Sequence, residues 1–540
     1  MEFVKKIQVY EERTIEECWH KTGKRPIPTR WVDILKGEDE RSRWVAQDFK
    51  GNDKNRDDLF AAMPPLEAKK ALFRMAAIRM KKSSERRKMK LLFVDVKKAH
   101  LNAECKEENI FVELPEEAKA GPGMCGMLKR WLYGMRGAAQ GWETEFTTKL
   151  ESIGFKRGKS NPVVFYRASD ETSLVVHGDD FTFLGYEDSL KEIESEMFKW
   201  WELKIRGIIG DDPSDDKEII ILNRKLRWDG KSLHLQPDPK HRSAILEAFG
   251  LKEGSKGLTI PSDREEVTAE QDEDLLNPFE ATRFRSLGAR ANYLGLDRPD
   301  IQFATKEICR GMARPSRGGM IRMKRLARYL LEVPDPTTRY DSENRALKTI
   351  LVYVDSDWAG CKATRKSTSG GAVTWGGGLL KSWSRTQGTR ALSSGEAEFY
   401  AAIKGACEGL GIQSLLKDMG FEVTVEVIQD NTAAKGMASR AGVGKVKHLD
   451  IGWLWIQEIV KIRAIILKKI DGKHNPADFL TKPKSVKEMS RLSEALNYDM
   501  PSRADILEDG EAAGIEEVAK WMREVLKKRT AMSNKRVTFE

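Results

Sequence analysis

Two adjacent aspartates interrupt an apolar stretch of the sequence. Residues 174–185 read LVVHGDDFTFLG, so Asp179 and Asp180 stand between two strand-like runs. Neighbouring carboxylates repel each other and lose solvation beside apolar residues, and a hairpin turn would leave both on an exposed tip. A divalent cation would relieve the repulsion, and carboxylate oxygens suit Mg²⁺. Simple turn chemistry is the alternative explanation for the pair alone.

A third carboxylate changes the balance between these explanations. Asp95 ends another apolar run, LLFVDV, upstream of the pair. Three carboxylates from two adjacent strands form the usual cradle for two Mg²⁺ ions in phosphoryl transfer. The sequence therefore predicts a two-metal site at the end of a sheet.

The composition narrows the class of partner and the compartment. Lys and Arg number 93 against 83 Asp and Glu, a net charge of +10, which favours polyanions and nucleic acid first. The six cysteines show no disulfide or zinc spacing, and the sequence shows neither a signal peptide nor a membrane-length apolar run. We therefore expect a cytoplasmic protein with no membrane partner, with a virus-like particle or the nucleus as further locations.

The elements that must position the carboxylates follow from the pattern along the chain. In residues 91–235 apolar strand-like runs alternate with helical stretches, which predicts a sheet with helices on one face. Residues 238–345 are helical and basic in pattern and close with a turn-rich stretch that predicts a linker. The basic segment at 79–90 fits either a solvated helix face or a phosphate-contacting surface.

A second unit follows that stretch. Its predicted order is strand, hairpin around a triple glycine, helix, strand, helix and strand. The charged, locally helical segment beyond it carries no site chemistry.

Several long motifs resemble copia-type retrotransposon reverse transcriptases. They are LLFVDVKKAHLNAECKEENIFVELP, LKRWLYGMRGAAQGWETEFTTKLESIGFKRGKSNPVVFYR and LVVHGDDFTFLG, in the family's order and spacing. Upstream, RWVDILKGEDERSRWVAQDFKG resembles the fingers region. Downstream, TRFRSLGARANYLGLDRPDIQFATKEICRGMARPS resembles the segment that joins polymerase to nuclease. DSDWAGCKATRKSTSGG, ALSSGEAEFYAA, VIQDNTAA, KHLDI and PADFLTK resemble blocks of copia-type ribonuclease H. The resemblance covers about residues 25–485.

The resemblance implies a fold and its divisions. The fold is an α+β multidomain chain with a right-hand polymerase, whose fingers and palm carry an antiparallel sheet, then a helical connection and an α/β ribonuclease H-like domain with a mixed five-stranded sheet. The implied divisions are fingers and palm at 1–240, a helical thumb or connection at 241–345, the ribonuclease H-like domain at 346–485, and a charged helical tail at 486–540.

In the polymerase half the resemblance assigns the metals to Asp95 and Asp179, with Asp180 in support. Further candidates bind nucleotide or nucleic acid. Arg41 and Arg43 would contact the triphosphate, although a solvated surface role is equally consistent with the sequence. Gln140 would contact nucleotide or template, or is an ordinary polar residue at a helix start.

In the nuclease half the resemblance assigns the catalytic and metal-binding roles to Asp355, Glu398, Asp430 and Asp478. Two nearby acids compete with this assignment. Asp357 shares a strand face with Asp355, and Glu396 lies two residues before Glu398. His448 and His474 assist product release or serve packing.

The chain departs from the family pattern at several positions. His177 and Gly178 stand where the family has Tyr and Val, and Ala139 where it tends to have Pro. His100 stands where a bulky aromatic usually blocks a ribose 2′-hydroxyl, which implies a leaky sugar gate. The block GWLWIQE lacks a family histidine. No motif of a protease, a Cys/His knuckle or an integrase precedes the polymerase, so we expect the carboxyl-terminal part of a Pol polyprotein.

The function implied is an RNA-directed DNA polymerase with ribonuclease H activity, using two Mg²⁺ per active site, with Mn²⁺ as an alternative. Its implied partners are an RNA template, a DNA primer, dNTPs and an RNA:DNA hybrid, and the sequence does not specify an oligomeric state. Two alternatives remain: a decayed element that binds nucleic acid without turnover, and a ribonuclease H alone. The substitutions at His177 and Gly178 favour the first of these.

Overall fold

The computed structural model describes residues 1–36, 39–49, 59–82, 87–263, 267–334, 336–342, 347–444 and 446–501. Residues 502–540 of the predicted tail and 83–86 of the basic segment lie outside these ranges. Across the described ranges, no helix combines the length and apolar character needed to cross a bilayer.

The strands in the described residues are β1 (Tyr10–Thr14), β2 (Thr29–Lys36), β3 (Asp39–Ala46), β4 (Met89–Val96), β5 (Phe111–Val112), β6 (Met124–Leu128), β7 (Lys156–Arg157), β8 (Val164–Arg167), β9 (Thr172–His177), β10 (Asp180–Tyr186), β11 (Leu203–Ile209), β12 (Glu218–Ile221), β13 (Arg224–Trp228), β14 (Ser232–Gln236), β15 (Thr337–Asp341), β16 (Thr349–Ser356), β17 (Thr368–Trp375), β18 (Gly378–Thr386), β19 (Thr424–Gln429), β20 (Ile466–Lys469) and β21 (Tyr498–Asp499).

The α-helices are α1 (Glu2–Lys6), α2 (Ile15–Thr22), α3 (Leu66–Lys82), α4 (Ala99–Asn102), α5 (Ala138–Ser152), α6 (Glu187–Trp200), α7 (Pro239–Ala248), α8 (Ala269–Glu273), α9 (Pro278–Leu294), α10 (Gln302–Arg310), α11 (Arg317–Glu332), α12 (Ser394–Asp418), α13 (Thr432–Ser439), α14 (Trp455–Lys461) and α15 (Val486–Glu494). Short 3₁₀ turns lie at Glu116–Ala118, Pro299–Ile301, Ile451–Leu454, Gly472–His474 and Pro476–Leu480.

The first carboxylate group lies on a six-stranded sheet of order β11-β4-β10-β9-β8-β7, in which all neighbours are antiparallel. Leu91 and Phe93 of β4 join the core that contains α3, whereas Leu92 and Val94 join the core that contains α5 and α6. Helices therefore cover both faces, where the sequence pattern predicted one. The unbroken apolar run of β4 is the signal of a strand buried on both sides.

Smaller sheets flank this one. Strands β1-β6-β5 form a three-stranded sheet, and β2 and β3 form an antiparallel hairpin in the region that resembles fingers. Helices α7, α9, α10 and α11 share a core of their own, so the segment after residue 238 is helical, as predicted.

The predicted linker contains a strand. Strand β15 pairs with β14 on one side and β21 on the other, in a five-stranded antiparallel sheet of order β12-β13-β14-β15-β21. Thr337, Thr338 and Tyr340 are buried there. These β-branched and aromatic side chains fill a core, and that tertiary gain outweighs the turn-forming residues on either side.

The second carboxylate group lies on a mixed five-stranded sheet of order β18-β17-β16-β19-β20. Strands β16, β17 and β18 are antiparallel, while β16, β19 and β20 are parallel, which confirms the predicted mixed sheet. The predicted glycine hairpin joins β17 to β18 through Gly376 and Gly377, whose φ values are +55° and +84°. Helix α12 packs closely on the sheet at Gly405. A Cβ at that position would lie 2.4 Å from the Val354 side chain, so only glycine fits without a shift.

Helix α3 joins the two sheets into one body. Its apolar residues share a single core with Val352, Val373 and Trp375 of the second sheet. Arg74 of α3 is buried and donates to the carbonyls of Asp341 and Gly376. The two units therefore share a dry interface with paired polar groups.

A second contact between the units is a carboxylate held by backbone amides. Asp418, the last residue of α12, accepts from the amides of Lys159 (2.9 Å), Ser160 (2.8 Å) and Asn161 (2.9 Å). Asp418→Ala is expected to lower the free energy of unfolding by about 1.5–3 kcal/mol, because hydrogen bonds to an ionised group are lost. Urea titration followed by tryptophan fluorescence measures the loss.

Glu422→Ala provides the matched control for that interface. The Glu422 side chain is 82% exposed and pairs with Lys417 at 3.3 Å, so its removal should change stability by less than about 0.5 kcal/mol. Equal unfolding midpoints for the two variants would refute the structural role of Asp418.

Candidate active sites

Asp95 and Asp180 lie opposite each other on neighbouring strands. Asp180, the first residue of β10, is paired in register with Asp95, the penultimate residue of β4. Residues paired in this way project from the same face. Asp179 precedes them in the turn between β9 and β10, and its carbonyl accepts from the Val96 amide at 2.9 Å. The structure therefore brings the three carboxylates of the first predicted site to one end of the sheet.

Gly178 belongs to the turn and not to the strand. Its φ of +65° favours glycine, and a Cβ there would meet no atom within 4 Å. Its carbonyl accepts from Trp142 Nε1 at 2.9 Å, which fixes the turn against α5. Because β9 ends at His177, Gly178 does not interrupt the pairing of β9 with β10.

Arg206 of β11 forms ion pairs with this group. Its guanidinium lies 2.5 Å from an oxygen of Asp95 and 3.2 Å from one of Asp180. Burial raises the pKa of Asp180, and the charges of Arg206 and Lys69 oppose that rise. Lys69 of α3 is buried, and its Nζ donates to the Thr182 hydroxyl at 3.2 Å. Burial lowers the pKa of Lys69 to about 8.

Three acids converge on the second sheet. Asp355 lies near the end of β16, Asp430 directly follows β19, and Glu398 lies in the second turn of α12. Ligand oxygens of these three residues lie within 4.8 Å of one another. Because β16 and β19 are parallel, their carboxyl ends lie side by side at one end of the sheet. Helix α12 places Glu398 at the same end.

The same group is buried, and burial controls its protonation. Burial raises the pKa of Glu398 to about 9, and the charges of Asp355 and Asp430 raise it further. Burial also raises the pKa of Asp355 to about 6, opposed by the hydroxyl of Thr481, which donates to that carboxylate at 2.5 Å. Without a cation, at least part of this negative charge is neutralised by protons.

Asp478 does not join this group in the described structure, although the sequence predicted four converging acids. Its carboxylate pairs with Lys482 at 2.5 Å and with Lys484. The two lysines follow it within six residues and hold it on the Pro476–Leu480 turn. A metal-binding role for Asp478 stays a prediction.

The two competing acids are engaged elsewhere. Glu396 accepts from the Tyr400 hydroxyl at 2.8 Å and the Leu392 amide at 2.9 Å, and its carboxylate lies 3.0 Å from Nε2 of His448. Asp357 accepts from the Thr368 amide beyond the end of β16. The geometry therefore favours Glu398 and Asp355 and gives His448 a structural partner.

Residues 17–211 match the reverse transcriptase (RNA-dependent DNA polymerase) family. The chain is 25% identical over 482 residues to the retrovirus-related Pol polyprotein from transposon TNT 1-94 of Nicotiana tabacum, covering 85% of this chain and 35% of that protein. It is 26% identical over 377 residues to the corresponding protein from transposon RE1 of Arabidopsis thaliana, covering 68% of this chain and 24% of that protein. Over most of its length the chain is similar to the retrovirus-related Pol polyproteins of copia-type transposons.

The chain spans about a third or less of the length of these two relatives. A solved structure of the foamy viral protease-reverse transcriptase in complex with dsDNA aligns with a TM-score of 0.48 at 10% identity. That alignment covers 87% of this chain and 81% of the other.

The residues of the second carboxylate group, Asp355, Glu398 and Asp430, fit a divalent metal. All three donors are hard carboxylate oxygens, the ligands that Mg²⁺ prefers. Oε2 of Glu398 is buried and has no hydrogen-bond partner among the described residues, while its Oε1 accepts from the Ser356 amide at 3.1 Å. A buried, unpaired carboxylate oxygen is costly unless a cation pairs with it.

Two of the nucleotide-binding candidates lie near the first carboxylate group. The His100 ring contacts that of Tyr133 with centroids 4.8 Å apart and planes tilted by 45°, and the Arg43 guanidinium lies 5.7 Å from the Tyr133 ring centroid. Burial lowers the pKa of His100, and the charge of Asp179 opposes that shift. Arg41 and Arg43 are exposed on β3 and, two residues apart, project from one side of the β2–β3 hairpin.

Gln140 lies in the first turn of α5, two residues before Trp142. It lines a pocket of about 280 Å³ with Phe60, Glu143, Thr144, Arg157 and Pro162. None of the three carboxylates of the first group lines that pocket. A contact between Gln140 and nucleotide or template stays a prediction.

The sequence analysis missed Arg206, Tyr133 and Lys69. The signal for Arg206 was a lone arginine before a glycine in the strand pattern LKIRGII, which is typical of a bulge. Tyr133 and Lys69 gave no local signal, because their positions depend on segments 33 and 113 residues away, those of His100 and Thr182.

Proposed function

We propose that this chain is an RNA-directed DNA polymerase with ribonuclease H activity, acting through divalent metals at both sites. The match of residues 17–211 to the reverse transcriptase family supports the polymerase part of the proposal. One observation carries the proposal: a single chain holds two separate carboxylate groups, each at the ends of adjacent strands of a different sheet. Each group offers the oxygen ligands of a two-metal phosphoryl-transfer site.

At the polymerase site Asp95 and Asp179 would hold the metals, which lower the pKa of the attacking 3′-hydroxyl and stabilise the leaving pyrophosphate. Asp180 supports Asp95 from the paired position in register. Arg43 and Arg41 supply guanidinium groups for the triphosphate of an incoming dNTP. Tyr133 and His100 supply rings beside the position of the sugar.

At the nuclease site Asp355, Glu398 and Asp430 would hold the metals that activate water against the RNA strand of a hybrid. Thr481 holds the Asp355 carboxylate in place, and the Ser356 amide holds that of Glu398. The net charge of +10 supports binding of an RNA template, a DNA primer and the hybrid product.

A ribonuclease H without polymerase activity is the second candidate. The observation that favours it is the contrast between the sites. The described residues contain one group of three acids arranged for a metal, and it is the nuclease group. The polymerase carboxylates are instead paired with Arg206.

The experiment that separates these candidates supplies the full chain with Mg²⁺ and a DNA primer annealed to RNA. With dNTPs, the proposal predicts extended primers. Without dNTPs, on a preformed hybrid, it predicts cleaved RNA. Cleavage without extension would support the second candidate, and neither product would support the decayed element.

His100 offers a test of sugar selection. We expect His100→Phe to lower incorporation of ribonucleotides relative to deoxyribonucleotides by about tenfold, because phenyl fills more of the space beneath the ribose. Competing rNTP and dNTP incorporation on one primed template measures the ratio.

The control is His20→Phe, at an exposed histidine on α2. That substitution should leave the ratio at the wild-type value. An unchanged ratio in His100→Phe would show that His100 is not the sugar gate.

A further inference from the structure

We propose that Arg206 is a resident counter-ion of the polymerase carboxylates, which a divalent ion must displace from Asp95 and Asp180 when it binds. This inference rests on the proposed polymerase function and concerns how that site is loaded. It assigns Arg206 a positioning role, distinct from that of the metal ligands.

A β-bulge places Arg206 at the site. The register between β11 and β4 pairs Ile205 with Val94 and Gly207 with Phe93, so Arg206 is the extra residue on β11. Bulges re-aim a side chain and recur next to active sites. Here the bulged side chain reaches both carboxylates of the register pair on the neighbouring strands.

The bulge is fixed by its neighbours. A Cβ at Gly207 would lie 2.5 Å from a carboxylate oxygen of Asp216, so no larger residue fits without a shift. Asp216 accepts from the Ile208 amide at 2.9 Å, which anchors the strand directly after the bulge. The local backbone is thus built around the position of Arg206.

Charge explains why a cation is needed at that position. Asp95 and Asp180 are register partners with side chains only 21% and 14% exposed, so their mutual repulsion is poorly screened. The guanidinium of Arg206 lies within 3.2 Å of both. It therefore holds the carboxylates together when no metal is bound.

The same contacts compete with a metal ion. Arg206 pairs with Asp95 and Asp180 through carboxylate oxygens that an ion between them would need. By contrast, Glu398 at the nuclease site offers a buried oxygen with no hydrogen-bond partner among the described residues.

Arg206 has room to leave. Strand β11 is the edge strand of its sheet, and the Arg206 side chain is 34% exposed. Rotation toward solvent would release both carboxylates without moving the strand. Metal loading then becomes an exchange of one cation for another, with the carboxylates already in place.

The test measures Mn²⁺ binding by the full-length protein, using the electron paramagnetic resonance signal of free Mn²⁺. All proteins carry Asp430→Asn, which weakens the nuclease site and leaves the polymerase site as the main one. Arg206→Gln should bind Mn²⁺ about three- to tenfold more tightly than its parent, since the competing ion pairs are removed. Arg206→Lys, which keeps the charge but not the planar guanidinium that contacts both carboxylates, should fall between them.

Lys156→Gln is the matched control. Lys156 is exposed on β7, the opposite edge strand of the same sheet, and forms no ion pair with any described residue. Its substitution removes the same charge far from the carboxylates and should change the affinity by less than about twofold. The Mg²⁺ concentration that gives half-maximal primer extension should fall in Arg206→Gln by the same factor as the Mn²⁺ dissociation constant.

Unchanged or weaker Mn²⁺ binding in Arg206→Gln would overturn the proposal. So would an equal gain in Lys156→Gln, because net charge alone would then explain the effect. A wrong polymerase assignment would give a different result. In that case, adding Asp179→Asn to the Asp430→Asn parent would leave the Mn²⁺ affinity unchanged. That result would also remove the basis for the inference.

Discussion

Asp430→Asn is expected to slow cleavage of the RNA strand in an RNA:DNA hybrid by at least about 10²- to 10³-fold, while primer extension continues at the wild-type rate. Asp430 is one of three acids whose oxygens lie within 4.8 Å of one another. The amide keeps the size of the side chain but removes a charge that would hold the metal. A labelled RNA strand followed on a gel measures the cleavage rate.

Asp357→Asn is the matched control for that variant. Asp357 lies two residues from Asp355, yet its carboxylate accepts from the Thr368 amide, and an asparagine oxygen can accept the same bond. Its cleavage rate should stay within about twofold of wild type. If Asp357→Asn lost cleavage and Asp430→Asn kept it, the assignment of the metal-binding acids would be wrong.

The second large effect is expected at the other site. Asp179→Asn should reduce primer extension by at least about 10²- to 10³-fold and leave hybrid cleavage unchanged. Asp179 is exposed in the turn between β9 and β10, so the isosteric change should not disturb packing. Incorporation of labelled dNTP on a primed RNA template measures the loss.

Asp188→Asn controls for loss of one negative charge near that hairpin. Its side chain is 67% exposed at the start of α6, where it pairs with Arg87 at 3.6 Å. We expect wild-type extension from this variant. Equal incorporation by Asp179→Asn and wild type would refute the polymerase assignment.

These point changes should separate the activities even though the two units share one core. Residues of α3 pack with Val352 and Trp375 of the nuclease sheet, and Arg74 bonds to the Gly376 carbonyl. Sequence predicted a linker and hence independent units, but the stretch folds as β15 within a shared sheet. The metal ligands are separate, whereas the scaffold that positions them is not.

The sequence predicted those features of both sites that depend only on neighbouring residues and on the order of strands and helices. Asp95 and Asp180 each stand at the end of an apolar run, so strand geometry alone places them at the end of a sheet. The mixed sheet around Asp355 likewise follows from its order of strands, hairpin and helix. Hydrophobic pattern and turn chemistry are enough for such features.

The parts that sequence did not predict depend on contacts between distant segments. Arg206 meets Asp95 across 111 positions of the chain, through a bulge whose register only the folded sheet defines. Side-chain pairing of this kind is set by tertiary packing, which local patterns do not encode.

One reaction tests the central proposal most directly. The wild-type chain is given Mg²⁺, dNTPs and a primed RNA template in which the DNA primer and the RNA carry different labels. We predict that the primer label moves to longer products while the RNA label moves to shorter ones, and that chelation of the metal stops both. Hybrid that binds the protein but yields neither product, in Mg²⁺ or in Mn²⁺, would contradict the proposal.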